Sequence, residues 1–325
     1  MTALITGVGA AVPKNIINNQ DLSYLGIDDR WITSRTGISS RHRIDTDDRL
    51  IDFALVASNS ALHIAQMSAT EIDFILVATS TPDRISPGLA PELGYLLGAN
   101  SPGTIDLSGA CTGFLYGLDF AASRIESGRS HNILVIGADA MTRLTNRNDR
   151  NTAVLFGDGA GAVVVSTDNK NTVLQSSFYF GSAGGFASDL FVSKETGYVE
   201  MHGGEIYAHA IAGMVNAVRS LLSQRKIQIE DIDRLICHQA NFRIIDSVLR
   251  ELNWPSDKAT NCVAEFGNTS AASIPIALAY DYDHGRIRED QQLAMSAFGA
   301  GLTWGAGLIC SRLFSSEECR SLKEV

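Results

Sequence analysis

Apolar residues along the chain gather into two kinds of stretch. Ile51 to Met67 and Ile211 to Leu222 read as helices, whereas Phe74 to Thr79, Arg234 to Cys237, Asn132 to Gly137 and Gln292 to Ala297 are short apolar runs that predict strands. These stretches come twice in one order. A helix leads through an acidic turn, Glu71-Ile72-Asp73 or Glu230-Asp231-Ile232-Asp233, into a strand. A glycine-bearing turn then opens a second helix: Ser108-Gly109-Ala110-Cys111 ahead of Thr112 to Ser127, and Phe266-Gly267-Asn268 ahead of Thr269 to Tyr282. A further strand follows, and each series closes on a glycine-rich segment, Gly157 to Val163 against Gly299 to Gly307.

The shared order points to a duplicated unit. Helices alternating with β-rich runs favour parallel sheet with helices packed on it. The expected fold is therefore α/β, a five-layered αβαβα sandwich of two duplicated halves, 1–168 and 169–325, with a linker near Ser166 to Asn171.

Composition narrows the function. The chain has 325 residues, 45% of them hydrophobic, which is ample for a large core, and its 29 glycines against 19% charged residues suit wide buried sheets and tight turns. A net charge of −10 leaves no electrostatic footprint for nonspecific nucleic-acid binding. No apolar run approaches a membrane span and the start MTALITGVGA lacks a basic leader region, so the cytosol is the expected compartment. Five cysteines, odd in number and without metal-type spacing, predict free thiols rather than a disulfide framework or a zinc site.

One cysteine has a chemical setting. Cys111 stands in Asp106-Leu107-Ser108-Gly109-Ala110-Cys111-Thr112-Gly113-Phe114, among small residues at the start of an apolar helix. Unpaired N–H groups and the positive end of the helix dipole favour an anion there, which predicts a bias toward the nucleophilic thiolate. The backbone N–H of Cys111, joined by that of Ala300 in Gly299-Ala300-Gly301, makes a candidate oxyanion hole. A structural cysteine beside glycines fits the same residues.

The second half adds Ile236-Cys237-His238-Gln239-Ala240-Asn241 and Gly267-Asn268-Thr269-Ser270-Ala271-Ala272-Ser273-Ile274-Pro275. Cysteine, histidine and asparagine in this order also occur in papain-like proteases. The surrounding motifs decide. With Cys111 in SGACTGF and the closing FGAGLTWG, the chain resembles the ketoacyl-acyl-carrier-protein synthase III family, of FabH type within the thiolase fold, from Trp31-Ile32-Thr33-Ser34-Arg35-Thr36-Gly37-Ile38 to Gly305.

The resemblance implies a ping-pong reaction without a resident cofactor, the CoA thioester being a substrate. An acyl-CoA acylates Cys111, CoA leaves, and a malonyl unit on acyl carrier protein loses carbon dioxide and attacks the acyl group. His238 and Asn268 would donate hydrogen bonds to the enolate oxygen. Trp31 would stack on adenine with Arg35 and Arg150 as cationic contacts, Asn241 would line the pantetheine tunnel, and Arg243 and Arg250 would meet the acidic carrier protein. A homodimer, with the loop around Ser86 near the subunit contact, is implied as well.

Two arginines depart from the family pattern. The loop Thr81-Pro82-Asp83-Arg84-Ile85-Ser86-Pro87-Gly88 carries Arg84 where apolar or aromatic residues line the acyl pocket, and Arg147 precedes Arg150 in Thr145-Asn146-Arg147-Asn148-Asp149-Arg150. A guanidinium at the far end of an acyl tunnel pairs with a terminal carboxylate. This predicts a glutaryl-CoA primer read by Arg84 with Arg147, as in the BioZ-type branch that starts the pimeloyl moiety of biotin. Solvated arginines would instead leave ordinary fatty-acid initiation from acetyl- or branched acyl-CoA. Acyl transfer to an alcohol or amine, a silent partner subunit and a thiol hydrolase are the other classes. The intact Cys111, His238 and Asn268 oppose a silent subunit, and a hydrolase has no use for a nucleotide handle.

Overall fold

The computed structural model describes residues 1–168, 175–313 and 320–325. The first half runs β1 (Thr2–Val12), β2 (Ile16–Asn18), α1 (Asp29–Thr36), β3 (Ser40–His42), α2 (Leu50–Ile64), β4 (Phe74–Ala78), α3 (Leu89–Leu96), β5 (Gly103–Leu107), α4 (Gly113–Glu126), β6 (Asn132–Ala140) and β7 (Asp158–Asp168). The second runs β8 (Ser177–Ser182), β9 (Leu190–Val192), β10 (Val199–Met201), α5 (Gly203–Arg225), β11 (Arg234–Cys237), α6 (Phe242–Leu252), α7 (Val263–Phe266), α8 (Ser273–Asp283), β12 (Gln291–Gly299), β13 (Thr303–Ser311) and β14 (Leu322–Glu324). The expected linker coincides with the end of β7 as far as Asp168, and its remainder lies outside the described residues.

Strands of the first half lie in the order β5-β4-β6-β7-β1 and those of the second in the order β11-β12-β13-β8, with the same sequence of parallel and antiparallel neighbours. An isolated parallel bridge between Leu235 and Ala259 stands where β5 stands in the first half. The two sheets join at one seam, where Leu4 and Ile5 of β1 pair with Cys310 and Ser311 of β13, and β14 returns to pair with β1. The sheets are mixed rather than purely parallel. The turn at 300–302 leads β12 straight back into β13 without a crossover helix, and a direct return of this kind produces an antiparallel pair.

Both faces of the strands are covered, which is why their sequences read as unbroken apolar runs. In β6, Ile133 and Val135 face a central core with α4 and α8, whereas Leu134 and Ile136 face α2 and α3. In β11, Ile236 joins that central core while Leu235 packs toward α5 and α6. Five structural layers follow, with α4 and α8 innermost: one central core packs these helices against both sheets, and an outer core lies beyond each sheet. Helix α5 begins eight residues before the apolar stretch that predicted it. Its start, Gly203-Gly204, has poor helix propensity, but Ile206 and Ala210 are buried in the outer core and hold the extra turns.

Between the halves, backbones approach closely where the second half's central turn docks on the first half's sheet. A Cβ at Gly137 in β6 would lie 2.1 Å from the carbonyl oxygen of Ala271, a backbone atom that cannot swing away. Gly137→Ala should therefore lower stability by about 1–3 kcal/mol in urea denaturation. Gly184→Ala, where an added Cβ meets nothing within 4 Å, should change stability by less than about 0.5 kcal/mol. Equal effects at both positions would remove the case for a tight contact between the halves.

Candidate active site

Each half contributes one turn to the site. Cys111 lies in the single turn Ala110–Thr112 that leads into α4, and Ser270 in the matching turn Ser270–Ala272 that leads into α8. Ala110 and Ser270 both take left-handed backbone angles, φ 46° and 52°, which non-glycine residues adopt at a cost only when the surroundings hold them there. The turns touch. Cys111 Sγ is 3.5 Å from Ser270 Oγ, and the hydroxyls of Thr112 and Thr303, 2.8 Å apart, tie the nucleophile's turn to β13.

The end of β12 closes over the same turn. A Cβ at Gly299 would come within 3.0 Å of the Cys111 nitrogen, so glycine is what admits this approach, and it brings Ala300 to the wall of the cavity that Cys111 lines. Burial pushes the Cys111 thiol up to about 11, and the nearby Asp139 carboxylate adds to the effect. The thiolate expected from the helix end is thus not the resting form, because loss of water disfavours the charged sulfur.

His238 follows β11, its N–H donating to the Ser296 carbonyl 2.7 Å away so that the strand pairing continues one residue beyond Cys237. Its Nδ1 is 2.6 Å from Ser273 Oγ, and that oxygen also accepts the Gln239 N–H at 3.3 Å. The arrangement in which the Ser273 hydroxyl gives its proton to Nδ1 leaves Nε2–H as the imidazole's donor. Burial lowers the His238 pKa to about 4, so the ring is neutral around pH 7.

Asn268 is fixed from the first half. Its N–H donates to the Leu155 carbonyl at 2.8 Å, and its own carbonyl accepts the Gly157 N–H at 3.0 Å. Its side-chain Oδ1 accepts the Ser270 N–H at 2.9 Å, which commits the amide oxygen and leaves Nδ2 to donate.

Cys111, His238, Asn268, Ser270 and Ala300 line one cavity of about 490 Å³. Met141, Leu155 and Phe156 form walls from the first half; Phe191 of β9, Met201 of β10 and Met214 of α5 form walls from the second. Trp31, Arg35 and Asn241 line it too, with the Arg35 guanidinium 4.4 Å from the Trp31 ring centre and that of Arg150 at 5.8 Å. Asn241 caps α6 by accepting the Arg243 N–H and donates to the Arg35 carbonyl, so it ties α1 to α6. A thiol and two neutral side-chain donors in a largely apolar chamber suit acyl transfer through an oxyanion.

The other cations are placed differently. Arg243 lies over the ring of Tyr207, a cavity-lining residue, whereas Arg250 pairs with Asp246 at 3.0 Å. Arg84 is outside this cavity, lines a neighbouring one that shares Ser80, and pairs with Glu92 at 3.0 Å. Arg147 is exposed, and neither cavity includes it. The structure thus does not bring Arg84 and Arg147 together at the end of the Cys111 cavity: each sits on a loop that faces outward.

Sequence reasoning assigned no role to Ser270, Ser273 or Asp139. The first two lie inside the asparagine motif, where serines resemble spacers until the fold turns them toward Cys111 and His238. Cys237, Cys262 and Cys310 are buried free thiols, and Cys319 lies outside the described residues. No helix among the described residues is long and apolar enough to cross a membrane.

Comparison with known proteins agrees with this arrangement. Residues 105–184 match the family model for 3-oxoacyl-[acyl-carrier-protein (ACP)] synthase III, and residues 222–310 match the model for its C-terminal part. The chain is 40% identical to the beta-ketoacyl-[acyl-carrier-protein] synthase III of Aquifex aeolicus (strain VF5), over 95% of this chain and 99% of that one. Its fold is similar to the crystal structure of the 3-oxoacyl-[acyl-carrier-protein] synthase III from Aquifex aeolicus VF5, with a TM-score of 0.90, 39% identity and coverage of 94% and 99%. It is also similar to FabH from Pseudomonas aeruginosa PAO1, with a TM-score of 0.92, 35% identity and coverage of 97% and 100%.

The His238 environment sets a measurable titration. Nitrogen NMR of histidine-labelled protein should show the Nε2–H tautomer from pH 8 to 5 and protonation near pH 4, and Ser273→Ala should admit the other tautomer. The folded pKa lies below the unfolded value of about 6.5, so below that pH the unfolded chain gains a proton that the folded chain refuses. Stability should fall as pH drops from about 6.5 toward 4, less steeply in His238→Gln, which retains His42, whose pKa burial also lowers. A His238 resonance that titrates near 6.5 would contradict the buried neutral ring.

Proposed function

The chain belongs to the 3-oxoacyl-[acyl-carrier-protein (ACP)] synthase III family, and from that premise we propose that it joins an acyl group carried on Cys111 to a decarboxylated malonyl unit on acyl carrier protein. The observation that carries this reading is the convergence of Cys111, His238 and Asn268 on one cavity with Trp31 and Arg35 along it.

An acyl-CoA lays its nucleotide against Trp31, Arg35 and Arg150 and passes its pantetheine arm by Asn241. Cys111 attacks the thioester, and the N–H groups of Cys111 and Ala300 stabilise the oxyanion until CoA departs. A malonyl thioester then takes the same channel. Nε2–H of His238 and Nδ2–H of Asn268 donate to its carbonyl oxygen, so negative charge collects there as carbon dioxide leaves, and the carbanion attacks the acyl group and expels Cys111. A neutral imidazole suits this step because it donates without having to lose a charge.

The primer is read as uncharged, acetyl or a short branched acyl group, for fatty-acid initiation in the cytosol. Two observations favour this: the walls near Cys111 are apolar, and Arg84 already has Glu92 as its partner. A glutaryl primer, with product directed to biotin, would require Arg84 to exchange Glu92 for the primer's carboxylate from the neighbouring cavity. Arg243 beside the channel is the favoured contact for an acidic carrier protein, Arg250 being engaged by Asp246. A homodimer is part of the same reading. Strand β5 is a sheet edge, and Ile105 upon it, Tyr95 on α3 and Ile85 in the adjoining loop are large exposed apolar side chains that a second copy would cover.

Without a malonyl substrate, acyl-CoA should add one acyl mass to the Cys111 peptide; addition of malonyl-carrier protein should then release carbon dioxide and yield 3-ketoacyl-carrier protein. Cys111→Ala should do neither, and His238→Ala or Asn268→Ala should still acylate but condense about 10²- to 10³-fold more slowly. Acyl transfer to an amine or alcohol without carbon dioxide would sink the reading. Acetyl-CoA or isobutyryl-CoA should outrun glutaryl-CoA, with Arg84→Ala little changed; a glutaryl preference abolished by Arg84→Ala would replace this primer with the dicarboxylic one.

A further inference from the structure

The proposed acylation leaves one proton without a destination. Cys111 rests as a thiol, and its proton must go somewhere as the sulfur attacks. His238 is poorly suited to take it, because burial disfavours the charged ring and Nδ1 is bonded to Ser273. The hydrogen-bond partner of Cys111 Sγ is Ser270 Oγ, at 3.5 Å.

Behind Ser270 stands a buried carboxylate with no role in the steps above. Asp139, at the end of β6, has no solvent exposure. Its Oδ1 accepts from Ser80 N–H at 2.7 Å, Thr81 Oγ1 at 2.9 Å and Thr79 Oγ1 at 3.3 Å, and its Oδ2 accepts from Ala271 N–H at 3.1 Å. Ser270, the residue before Ala271, also turns its hydroxyl to this carboxylate. None of these partners is a cation, although a fully buried carboxylate is costly without one. Burial strengthens its hold on a proton, against hydrogen bonds that weaken it.

We infer that Asp139, acting through the Ser270 hydroxyl, accepts the Cys111 proton during acylation. The inference rests on the proposed acylation of Cys111. As the sulfur forms its bond to the acyl carbonyl carbon, the thiol hydrogen moves to Ser270 Oγ and the Ser270 hydrogen moves to Asp139. The bond from that carbon to the CoA sulfur breaks, and the proton returns from Asp139 through Ser270 to the departing sulfur, so CoA leaves as a thiol. Cys–SH and acyl-CoA become Cys–S–acyl and CoA–SH, with no proton gained or lost. The groups facing Asp139 come from the loop after β4 (Thr79, Ser80, Thr81), the turn before α8 (Ser270, Ala271) and the nucleophile's turn (Cys111), and among these Cys111 alone titrates.

Single-turnover acylation of Cys111 by acetyl-CoA, followed by mass across pH 6 to 10, tests the relay in wild type, Asp139→Asn and Ser270→Ala. Both variants should acylate about 10²- to 10³-fold more slowly at pH 7 and recover about tenfold per pH unit as the thiol ionises unaided. Decarboxylation of malonyl-carrier protein should be slowed far less than acylation, because the His238 and Asn268 donors remain. Variants that acylate at the wild-type rate, or that are slowed equally at every pH or in both half-reactions, overturn the relay. Ser270→Ala keeps the Asp139 carboxylate and decides the matter if Asp139→Asn does not fold. Failure of wild type itself to acylate would count against the proposed function instead.

Discussion

The site depends on the contact between two turns that occupy equivalent places in the two halves. Duplication brings the starts of α4 and α8 to the middle of the molecule, and the close approach of Gly137 to Ala271 holds them there. Cys111 comes with one turn; Ser270 and the asparagine preceding it come with the other. Neither half has a site alone: the thiol lies on the first, the imidazole and amide on the second, and Leu155 to Gly157 of the first half anchor the backbone of Asn268. A one-residue slip at this interface would separate sulfur from donors, and the backbone contacts across it leave little room for such a slip.

Burial then sets the chemistry. The thiol and the imidazole are both driven toward their neutral forms, the first upward to about 11 and the second downward to about 4. For the imidazole this is an advantage, since a neutral ring with a fixed tautomer is a directed donor whose strength does not vary around neutrality. For the thiol it is an obstacle, since the nucleophilic form is the charged one. An enclosed chamber that strengthens oxyanion stabilisation therefore raises the need for a base, and the same low polarity produces both effects.

Much of this was legible in the chain. The repeated order of helix, acidic turn, strand and glycine-bearing turn led to the layered architecture, because strands buried on both faces are written as plain apolar runs. Strand direction was not, since a glycine-rich hairpin and a crossover look alike until pairing is seen. Cys111, His238 and Asn268 were legible through their motifs, and Trp31, Arg35 and Asn241 through the resemblance. Arg84 and Arg147 show the limit. An unexpected cation in a pocket-forming loop suggests a carboxylate partner, but the spacing of eight residues that supplies Glu92 is invisible without knowing that α3 folds back beside the loop.

Asp139 was missed for a different reason. In Ile136-Gly137-Ala138-Asp139-Ala140 it looks like the polar end of a strand, and a carboxylate there is ordinarily solvated or pairs with a cation. The fold instead closes hydroxyls and backbone N–H groups around it from two segments distant in sequence. Asparagine offers the same shape but one acceptor oxygen, so its NH2 would face either the Ala271 N–H or the donors that now meet Oδ1. The carboxylate thus serves first as the acceptor that joins two turns, and exchange of a proton with the Ser270 hydroxyl is the further property that the amide lacks.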